Sequence, residues 1–271
     1  MPDSQLHRPW RPAPFISGSA ALHVAAVAAV AARPHAWPWA LGAVVVDHLA
    51  LAAVGLWPRS TLLGPNWTRL PAAAAARGSV AITIDDGPDP EVTPRVLAAL
   101  DQYGAKATFF CIGEKVVRHA ELAREMVSRG HTIENHSQRH LYHFSLLGPR
   151  ALLNEIDGAQ ASIAAVTGTR PGFFRAPAGL RNPLLEPVLR RLNLQLASWT
   201  RRGFDTVTHD GDIVFNKLTR HLAGGDILLL HDGHAAQSRA GRPVILEVLP
   251  RLLTALAAAN LQPVTLRAAL I

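Results

Sequence analysis

The chain of 271 residues is poor in cysteine, in aromatic residues and in charge. Its single cysteine, Cys111, excludes an intramolecular disulfide and a zinc site built from cysteines. Aromatic residues make up only 6% of the chain, and the arginines are dispersed rather than interleaved with them. The net charge of +7 therefore carries no nucleic-acid-binding pattern. It suits an anionic membrane surface or an envelope polymer at least as well.

Charged residues account for 17% of the chain and hydrophobic residues for 49%, a balance that allows a sizeable core. The length suits one barrel domain with an appendage, or two small domains. No internal repeat and no low-complexity tail is visible in the sequence.

Two long apolar stretches near the N-terminus predict a helical hairpin over residues 1–58. Phe15–Ala32 and Ala36–Trp57 are each long enough to span a bilayer as a helix. Tryptophans stand near their ends, where interfacial aromatic belts form: Trp10, Trp37, Trp39 and Trp57. We expect the hairpin to anchor the protein in a membrane of the bacterial inner-membrane type, in contact with its lipid. The alternatives are a signal peptide cleaved near Ala29–Ala31 and a hairpin that lies in the interface.

An acidic residue lies inside the second apolar stretch. An unpaired aspartate such as Asp47 costs roughly 2.5–3.5 kcal/mol at the bilayer centre on insertion scales. His23 and Asp47 are similarly distant from the Pro34–His35 turn, on either side of it. We therefore expect the two side chains to pair across the hairpin.

The arginines predict on which side of the membrane the rest of the chain lies. Only Arg33 lies in the turn of the hairpin, whereas several arginines flank its two ends. The flanking residues are Arg8, Arg11, Arg59, Arg69 and Arg77. The positive-inside rule then favours a cytoplasmic main domain. Residues 59–78, with their glycine, prolines and alanine run, are predicted to be a linker.

Strand-like and helix-like segments alternate from Ser79 onward. Short apolar runs predict strands at 79–84, 106–112, 131–136, 172–175, 194–199, 226–231 and 261–265. Amphipathic segments predict helices at 93–102, 120–128, 149–166, 183–192, 212–222 and 244–258. About seven β–α units of this kind favour a parallel-stranded α/β barrel over residues 79–271.

Polar residues follow several of the predicted strands. Asp85 and Asp86 come at the end of the first strand, and His136, Arg175 and His231 come at the ends of later ones. The carboxyl ends of parallel barrel strands share one face, which is where active sites form. We therefore expect these side chains to converge on one pocket.

Three of the polar residues predict a metal site. His136 and His140 are four residues apart and would share one face of a helical turn. Together with Asp86 they offer two imidazoles and a carboxylate, a set that suits zinc and leaves positions open for water and substrate. The acidic run at 85–90 lacks the ligand spacing of an EF-hand, which disfavours a calcium loop.

The remaining polar residues predict acid–base chemistry. Asp85 is a candidate base that takes a proton from water, and Arg175 is a bidentate partner that would keep it ionised. His231 is a candidate acid that protonates a leaving group, although a histidine in the core is the alternative.

Several sequence motifs, in order along the chain, carry a resemblance to a known family. Thr83–Pro88 is similar to T-F-D-D-G-P with Ile84 for Phe, and Ala107–Gly113 is similar to A-T-F-F-x-I-G. His136–His140 matches H-S/T-x-x-H, Arg175–Gly179 matches R-x-P-x-G, and Leu229–His231 matches L-x-H. Over residues 79–266 the chain therefore resembles the NodB-homology polysaccharide deacetylases, carbohydrate esterase family 4.

The resemblance implies a distorted (β/α)7 barrel and a divalent metal, usually Zn²⁺, with Co²⁺, Ni²⁺ or Mn²⁺ as alternatives. The implied reaction removes an N-acetyl or other small N-acyl group from an amino sugar in a polysaccharide, an oligosaccharide or a lipid-linked glycan. The implied roles are Asp86, His136 and His140 as metal ligands, Asp85 as base, Arg175 as its orienting partner and His231 as acid.

The chain departs from the family pattern in two places. Ala178 replaces the aromatic residue that usually precedes the glycine of the third motif. The fourth motif, usually D-x-x-D-W, is degenerate: Arg202 replaces its first aspartate, whereas Asp205 keeps the place of the second. A catalytically silent carbohydrate-binding or scaffold domain is the alternative function. The candidate substrate-binding residues are Pro177, Ala178, Trp199, Asp205 and Leu229.

Overall fold

The computed structural model describes residues 11–271, and Arg8 and Trp10 lie outside the described residues. Two apolar helices, α1 (Pro14–Ala32) and α2 (Trp37–Gly55), pack along each other across a short turn. Both are long and apolar enough to cross a membrane, and almost none of their surface is buried inside the protein. The hairpin expected from the sequence is therefore present in the fold.

Polar side chains meet at mid-height between α1 and α2. Asp47 accepts a hydrogen bond of 2.6 Å from the Ser19 hydroxyl. His23 lies 3.9 Å from the Asp47 carboxylate, and its Nε2 atom lies 3.0 Å from Nε2 of His48. His23 and Asp47 thus face each other as expected, but serine and histidine neighbours make the shorter contacts.

The rest of the chain is built around a parallel sheet of eight strands. The strand order is β5-β4-β3-β2-β1-β7-β6, and β8 pairs with the beginning of β1. The strands are β1 (Ser79–Asp85), β2 (Thr108–Cys111), β3 (Thr132–Asn135), β4 (Phe173–Phe174), β5 (Gln195–Leu196), β6 (Arg201–Arg202), β7 (Ile227–His231) and β8 (Gln262–Val264). This incomplete barrel agrees with the predicted distorted (β/α)7 architecture.

Helices cover the outside of the sheet with amphipathic faces. In α4, for example, Val96, Leu97 and Leu100 are fully buried against the sheet, as the helical spacing of the apolar residues predicts. Helix α7 ends at Gly168, whose left-handed backbone stops the helix. The helices are α3 (Ala72–Ala76), α4 (Thr93–Gln102), α5 (Gly113–Arg118), α6 (Ala120–Ser128), α7 (Pro149–Thr167), α8 (Leu185–Arg191), α9 (Gly211–Thr219) and α10 (Val244–Ala258).

The segment 59–78, predicted as a linker, is incorporated into the barrel. The backbone of Trp67 donates to Leu196 and accepts from Ser198, so it pairs with the end of β5. Arg69 forms a 2.8 Å ion pair with the buried Asp226 that precedes β7. The segment therefore bridges two sides of the open sheet, a role that its proline and glycine content does not indicate.

Candidate active site

The carboxyl end of β1 forms the floor of a pocket. Asp85 lies beside His231 of β7 in the strand register, and both side chains are buried. Asp86 follows with φ at 76°, a left-handed conformation that costs an aspartate of the order of 1 kcal/mol. This turn separates two adjacent carboxylates, which then face different partners.

Asp86 faces the two histidines that follow β3. Its Oδ1 atom lies 3.2 Å from Nε2 of His136 and 3.2 Å from Nε2 of His140. Nδ1 of His136 donates to the carbonyl of Arg175 at 2.8 Å, which leaves Nε2 free to bind a metal. Burial, with the nearby His136, lowers the pKa of His140 to about 4, so its imidazole is neutral at pH 7.

The chemistry of these donors fits a divalent metal. Oδ1 of Asp86 is buried and has no hydrogen-bond partner among residues 11–271, as a ligand oxygen would. Two neutral imidazoles and one carboxylate form an open set of the kind that zinc prefers in catalytic sites. The three ligand atoms lie close enough together to hold one ion.

A further histidine, not identified from the sequence, contacts Asp86. Nδ1 of the half-exposed His234 lies 3.0 Å from Oδ2, the second oxygen of the Asp86 carboxylate. Burial raises the pKa of Asp86, but the contacts with His136 and His234 outweigh this effect and hold the pKa well below its usual value. Only the position of His234 three residues after His231 could have indicated this contact.

Asp232 packs against Gly87, the residue that follows Asp86 in the turn. A Cβ atom on Gly87 would lie 2.5 Å from an Asp232 oxygen, so only glycine allows this approach. Asp232 also accepts a hydrogen bond of 2.5 Å from Thr93. Complete burial raises its pKa to about 7. This role could not be predicted from the sequence, because it depends on contacts between β1, α4 and the end of β7.

Arg175 holds the second carboxylate, that of Asp85. Its guanidinium donates at 2.7 Å to Asp85 and at 2.8 Å to the Thr83 hydroxyl. It also donates to the carbonyls of Ala197 and Ser198, and it lies 4.1 Å from the centre of the Phe110 ring. Burial lowers the pKa of Arg175, and the charge of Asp85 opposes that shift. The resulting ion pair is almost completely buried.

Asp205 accepts two hydrogen bonds from His231. One Asp205 oxygen accepts at 2.9 Å from Nδ1 of His231, and the other accepts at 2.7 Å from its backbone N–H. Burial lowers the pKa of His231, but the charge and hydrogen bond of Asp205 outweigh it, so the pKa is raised. Asp205 therefore contacts the candidate acid and does not line the pocket, where it was expected to contact substrate.

The pocket walls contain three of the expected substrate-binding residues, whereas Pro177 is buried beneath the surface. Ala178 lines the pocket with a positive φ of 55°. Besides Asp85, Asp86, His136, His140 and His231, the lining residues are Tyr142, Ala178, Gly179, Trp199, Arg202, Thr206, Leu229 and His234.

Comparison with known proteins agrees with this geometry. A family model described as polysaccharide deacetylase matches residues 72–197. A peptidoglycan-N-acetylglucosamine deacetylase of Bacillus cereus is 35% identical over 175 residues, which cover 64% of this chain and 81% of that protein. The chain belongs to the polysaccharide deacetylase family.

Two further relatives extend the comparison. A chitooligosaccharide deacetylase of a Bradyrhizobium species is 34% identical over 157 residues, which cover 58% of this chain and 71% of the relative. The structure of a family 4 carbohydrate esterase from Streptomyces lividans in complex with acetate has a TM-score of 0.62 and 32% identity. That match covers 69% of this polysaccharide deacetylase and 91% of the esterase.

Proposed function

We propose that this polysaccharide deacetylase hydrolyses the N-acetyl or another small N-acyl group of an amino sugar in a cell-envelope glycan. One observation carries the proposal. Asp85 and His231 line a single pocket with the Asp86, His136 and His140 cluster, and each is paired with a buried partner, Arg175 or Asp205. A base, an acid and a metal-binding set are thus within reach of one amide group.

Asp86, His136 and His140 would hold the metal, for which we propose Zn²⁺. When bound, the ion would supply Lewis-acid activation of the acyl carbonyl and of the attacking water. His234 and the Arg175 carbonyl would orient the ligands through their hydrogen bonds to Asp86 and His136.

Asp85 would accept the proton of the attacking water. A base must be ionised before it can act, and the buried guanidinium of Arg175 favours the carboxylate form. Only one Asp85 oxygen receives a hydrogen bond from Arg175, so the other is available for the proton.

His231 would protonate the departing amine. Its raised pKa favours the imidazolium form near neutral pH, and Asp205 fixes the ring so that Nε2 is the atom available to donate. Leu229 and Trp199 would line the site of the acyl group, and the small side chain of Ala178 leaves room beside it.

We further propose that α1 and α2 anchor the enzyme in the membrane. Their length, their apolar composition and the exposure of Trp37, Trp39 and Trp57 support this role. The arginine distribution supports a cytoplasmic catalytic domain. Reporter fusions at the C-terminus measure on which side that domain lies.

The proposal is tested with the full-length protein in detergent, loaded with zinc. We expect acetate release from N-acetylglucosamine oligomers, peptidoglycan fragments or lipid-linked N-acetylglucosamine. Release should be lost in His136→Ala, which removes a metal ligand. If zinc is bound and no acyl group is released from any of these substrates, the silent carbohydrate-binding domain is the correct function.

The pH profile of an Asp205→Asn variant tests the assignment of the acid. The pKa of His231 is raised, so its protonated form persists to higher pH and activity is lost as pH rises through that pKa. Removing the Asp205 charge leaves burial to lower the pKa. We expect the alkaline limb of kcat/KM to move down by about 1–3 pH units, with the acidic limb unchanged.

Asp212→Asn is the matched control for this experiment, because Asp212 is an exposed carboxylate that pairs with Arg251. Its profile should coincide with that of the unmodified enzyme. An alkaline limb that stays in place in Asp205→Asn would show that His231 is not the acid.

A further inference from the structure

The end of the helical hairpin packs on the wall of the active-site pocket. The Gly55 carbonyl, at the last residue of α2, accepts a 3.2 Å hydrogen bond from the backbone of Arg181. The Arg181 guanidinium donates to the carbonyl of Ser60. Gly179 lines the pocket and approaches Pro58 so closely that a Cβ atom there would lie 2.7 Å from the proline ring. The pocket is therefore adjacent to the point where α2 ends.

Exposed apolar side chains surround this junction. Trp57 is 56% exposed at the end of the hairpin, and Leu146 is 83% exposed on a neighbouring loop. Asn182 ties that loop to the junction by donating to the carbonyls of Ser145 and Leu147, both at 2.9 Å. Tyr142, on the pocket rim, is 99% exposed. Exposed tryptophan and tyrosine are typical of a membrane–water interface, and here they stand at the end of α2 and on the rim of the pocket.

An arginine side chain stands in the same pocket. Arg202 lines the wall where the family motif usually has an aspartate, and its guanidinium lies 5.3 Å from the Trp199 ring and 5.0 Å from the Phe204 ring. Its Nε atom is buried and makes no hydrogen bond with residues 11–271. Across the part of the chain that the structure describes, no carboxylate forms an ion pair with it. A guanidinium beside two aromatic rings, with no carboxylate paired to it within residues 11–271, suits a phosphate.

We propose that the substrate is an amino sugar attached through an anomeric phosphate to a membrane lipid, and that Arg202 binds this phosphate. The inference rests on the proposed N-deacylase function and specifies its substrate. In a 2-acylamino sugar the acyl-bearing carbon is bonded to the anomeric carbon, so the phosphate lies next to the reacting amide. Arg202 and the metal-binding cluster share one pocket, as this substrate requires.

Besides the phosphate contact with Arg202, the location of the substrate in the membrane would determine which substrate the enzyme selects. The lipid chain of such a substrate remains in the bilayer, and the sugar has to be reached at the surface. The junction at Pro58 and Gly179 puts the pocket beside the end of α2, which is where the proposed membrane hairpin would leave the bilayer. The reaction itself is unchanged: water adds to the acyl carbon, the C–N bond breaks, and the products are a carboxylic acid and the amine of the still lipid-linked sugar.

The test uses the full-length, zinc-loaded protein in phosphatidylcholine nanodiscs. Three probes are compared: an N-acetylglucosaminyl diphospho-polyprenol in the same discs, water-soluble N-acetylglucosamine 1-phosphate, and a neutral N-acetylglucosamine tetramer. We expect kcat/KM for the lipid-linked probe to exceed that for the tetramer by about 100-fold or more, with the soluble phosphate in between. The soluble phosphate adds the contact with Arg202 that the tetramer lacks. The lipid-linked probe adds to that contact its location in the same membrane as the enzyme.

Arg202→Gln tests the phosphate contact. We expect it to lower kcat/KM about 10–100-fold for both phosphorylated probes, and so to reduce their advantage over the tetramer. Arg202→Lys keeps the charge without the planar donors and should be intermediate. Arg170→Gln is the matched control, because Arg170 is exposed and pairs with Asp157 away from the pocket.

The outcomes distinguish failure of the lipid-phosphate substrate from failure of the deacylase function. If the neutral tetramer is the best substrate, or if Arg202→Gln leaves the kcat/KM ratio of the phosphorylated probes to the tetramer unchanged, the lipid-phosphate substrate is wrong and the deacylase function stands. If the soluble phosphate equals the lipid-linked probe, the membrane part is wrong. If no probe is hydrolysed although zinc is bound, the deacylase function itself fails.

Discussion

Replacing Asp85 with asparagine is expected to lower kcat by about 10²–10⁴-fold, the usual contribution of a general base, while zinc stays bound. The amide has the shape of the carboxylate and still accepts the hydrogen bond that Arg175 donates at 2.7 Å. It cannot take a proton from water. Asp85 lies 3.9 Å from Nε2 of His136, farther than Asp86 at 3.2 Å, so we expect it to contribute no ligand.

Two measurements check this result: acyl release under saturating substrate, and zinc content after dialysis. Asp86→Asn is the matched control, since it changes the neighbouring carboxylate in the same way and should lose zinc as well as activity. If Asp85→Asn retains full turnover, Asp85 is not the base. If it loses its zinc, the two carboxylates have exchanged roles.

Replacing Arg175 with methionine is expected to destabilise the protein by about 3–5 kcal/mol, the typical effect of removing one member of a buried ion pair. Methionine fills much of the same volume beside Phe110 but leaves the Asp85 carboxylate buried without its cation. The carbonyls of Ala197 and Ser198 also lose their donor. Urea unfolding in detergent, followed by tryptophan fluorescence, measures the free energy of unfolding.

A double variant sharpens this prediction. Combining Arg175→Met with Asp85→Asn removes the unpaired charge, so part of the lost stability should return. Arg170→Met is the control, because an exposed pair such as Arg170–Asp157 contributes at most about 1 kcal/mol. A loss below about 1 kcal/mol in Arg175→Met would mean that water reaches Asp85 and that the pair is not sealed in the core.

The sequence predicted the elements that depend on local patterns. Helices α4, α6 and α10 begin and end at the predicted residues, because each presents an apolar face at helical spacing. Strand β6 was missed, since it consists only of Arg201 and Arg202 and carries no apolar run. The bridging role of segment 59–78 was missed for a related reason: isolated backbone bonds, such as those of Trp67, leave no periodic signal.

In the candidate site, too, the residues with a local sequence signal were predicted and the contacts between distant segments were not. The sequence predicted that Asp85, Asp86, His136, His140, Arg175 and His231 would converge, because they follow strands of one sheet. The structure brings all but Arg175 to the pocket surface, and Arg175 is buried against Asp85. The partner of His231 was open in the sequence, since the fourth motif is degenerate, and the fold identifies it as Asp205. Contacts between distant segments, such as His234 with Asp86 or Pro58 with Gly179, have no local signature.

The bridging segment 59–78 affects how the barrel responds to proteolysis. Trp67 pairs with the backbone of β5, and the Arg69 side chain neutralises the buried Asp226 beside β7. A protease that cut after Gly78 would remove both, exposing one side of the sheet and leaving the buried Asp226 with the Arg201 cation but without that of Arg69. The barrel is therefore expected to lose stability when it is cut there, so segment 59–78 belongs to the folded unit and is not a spacer beside it.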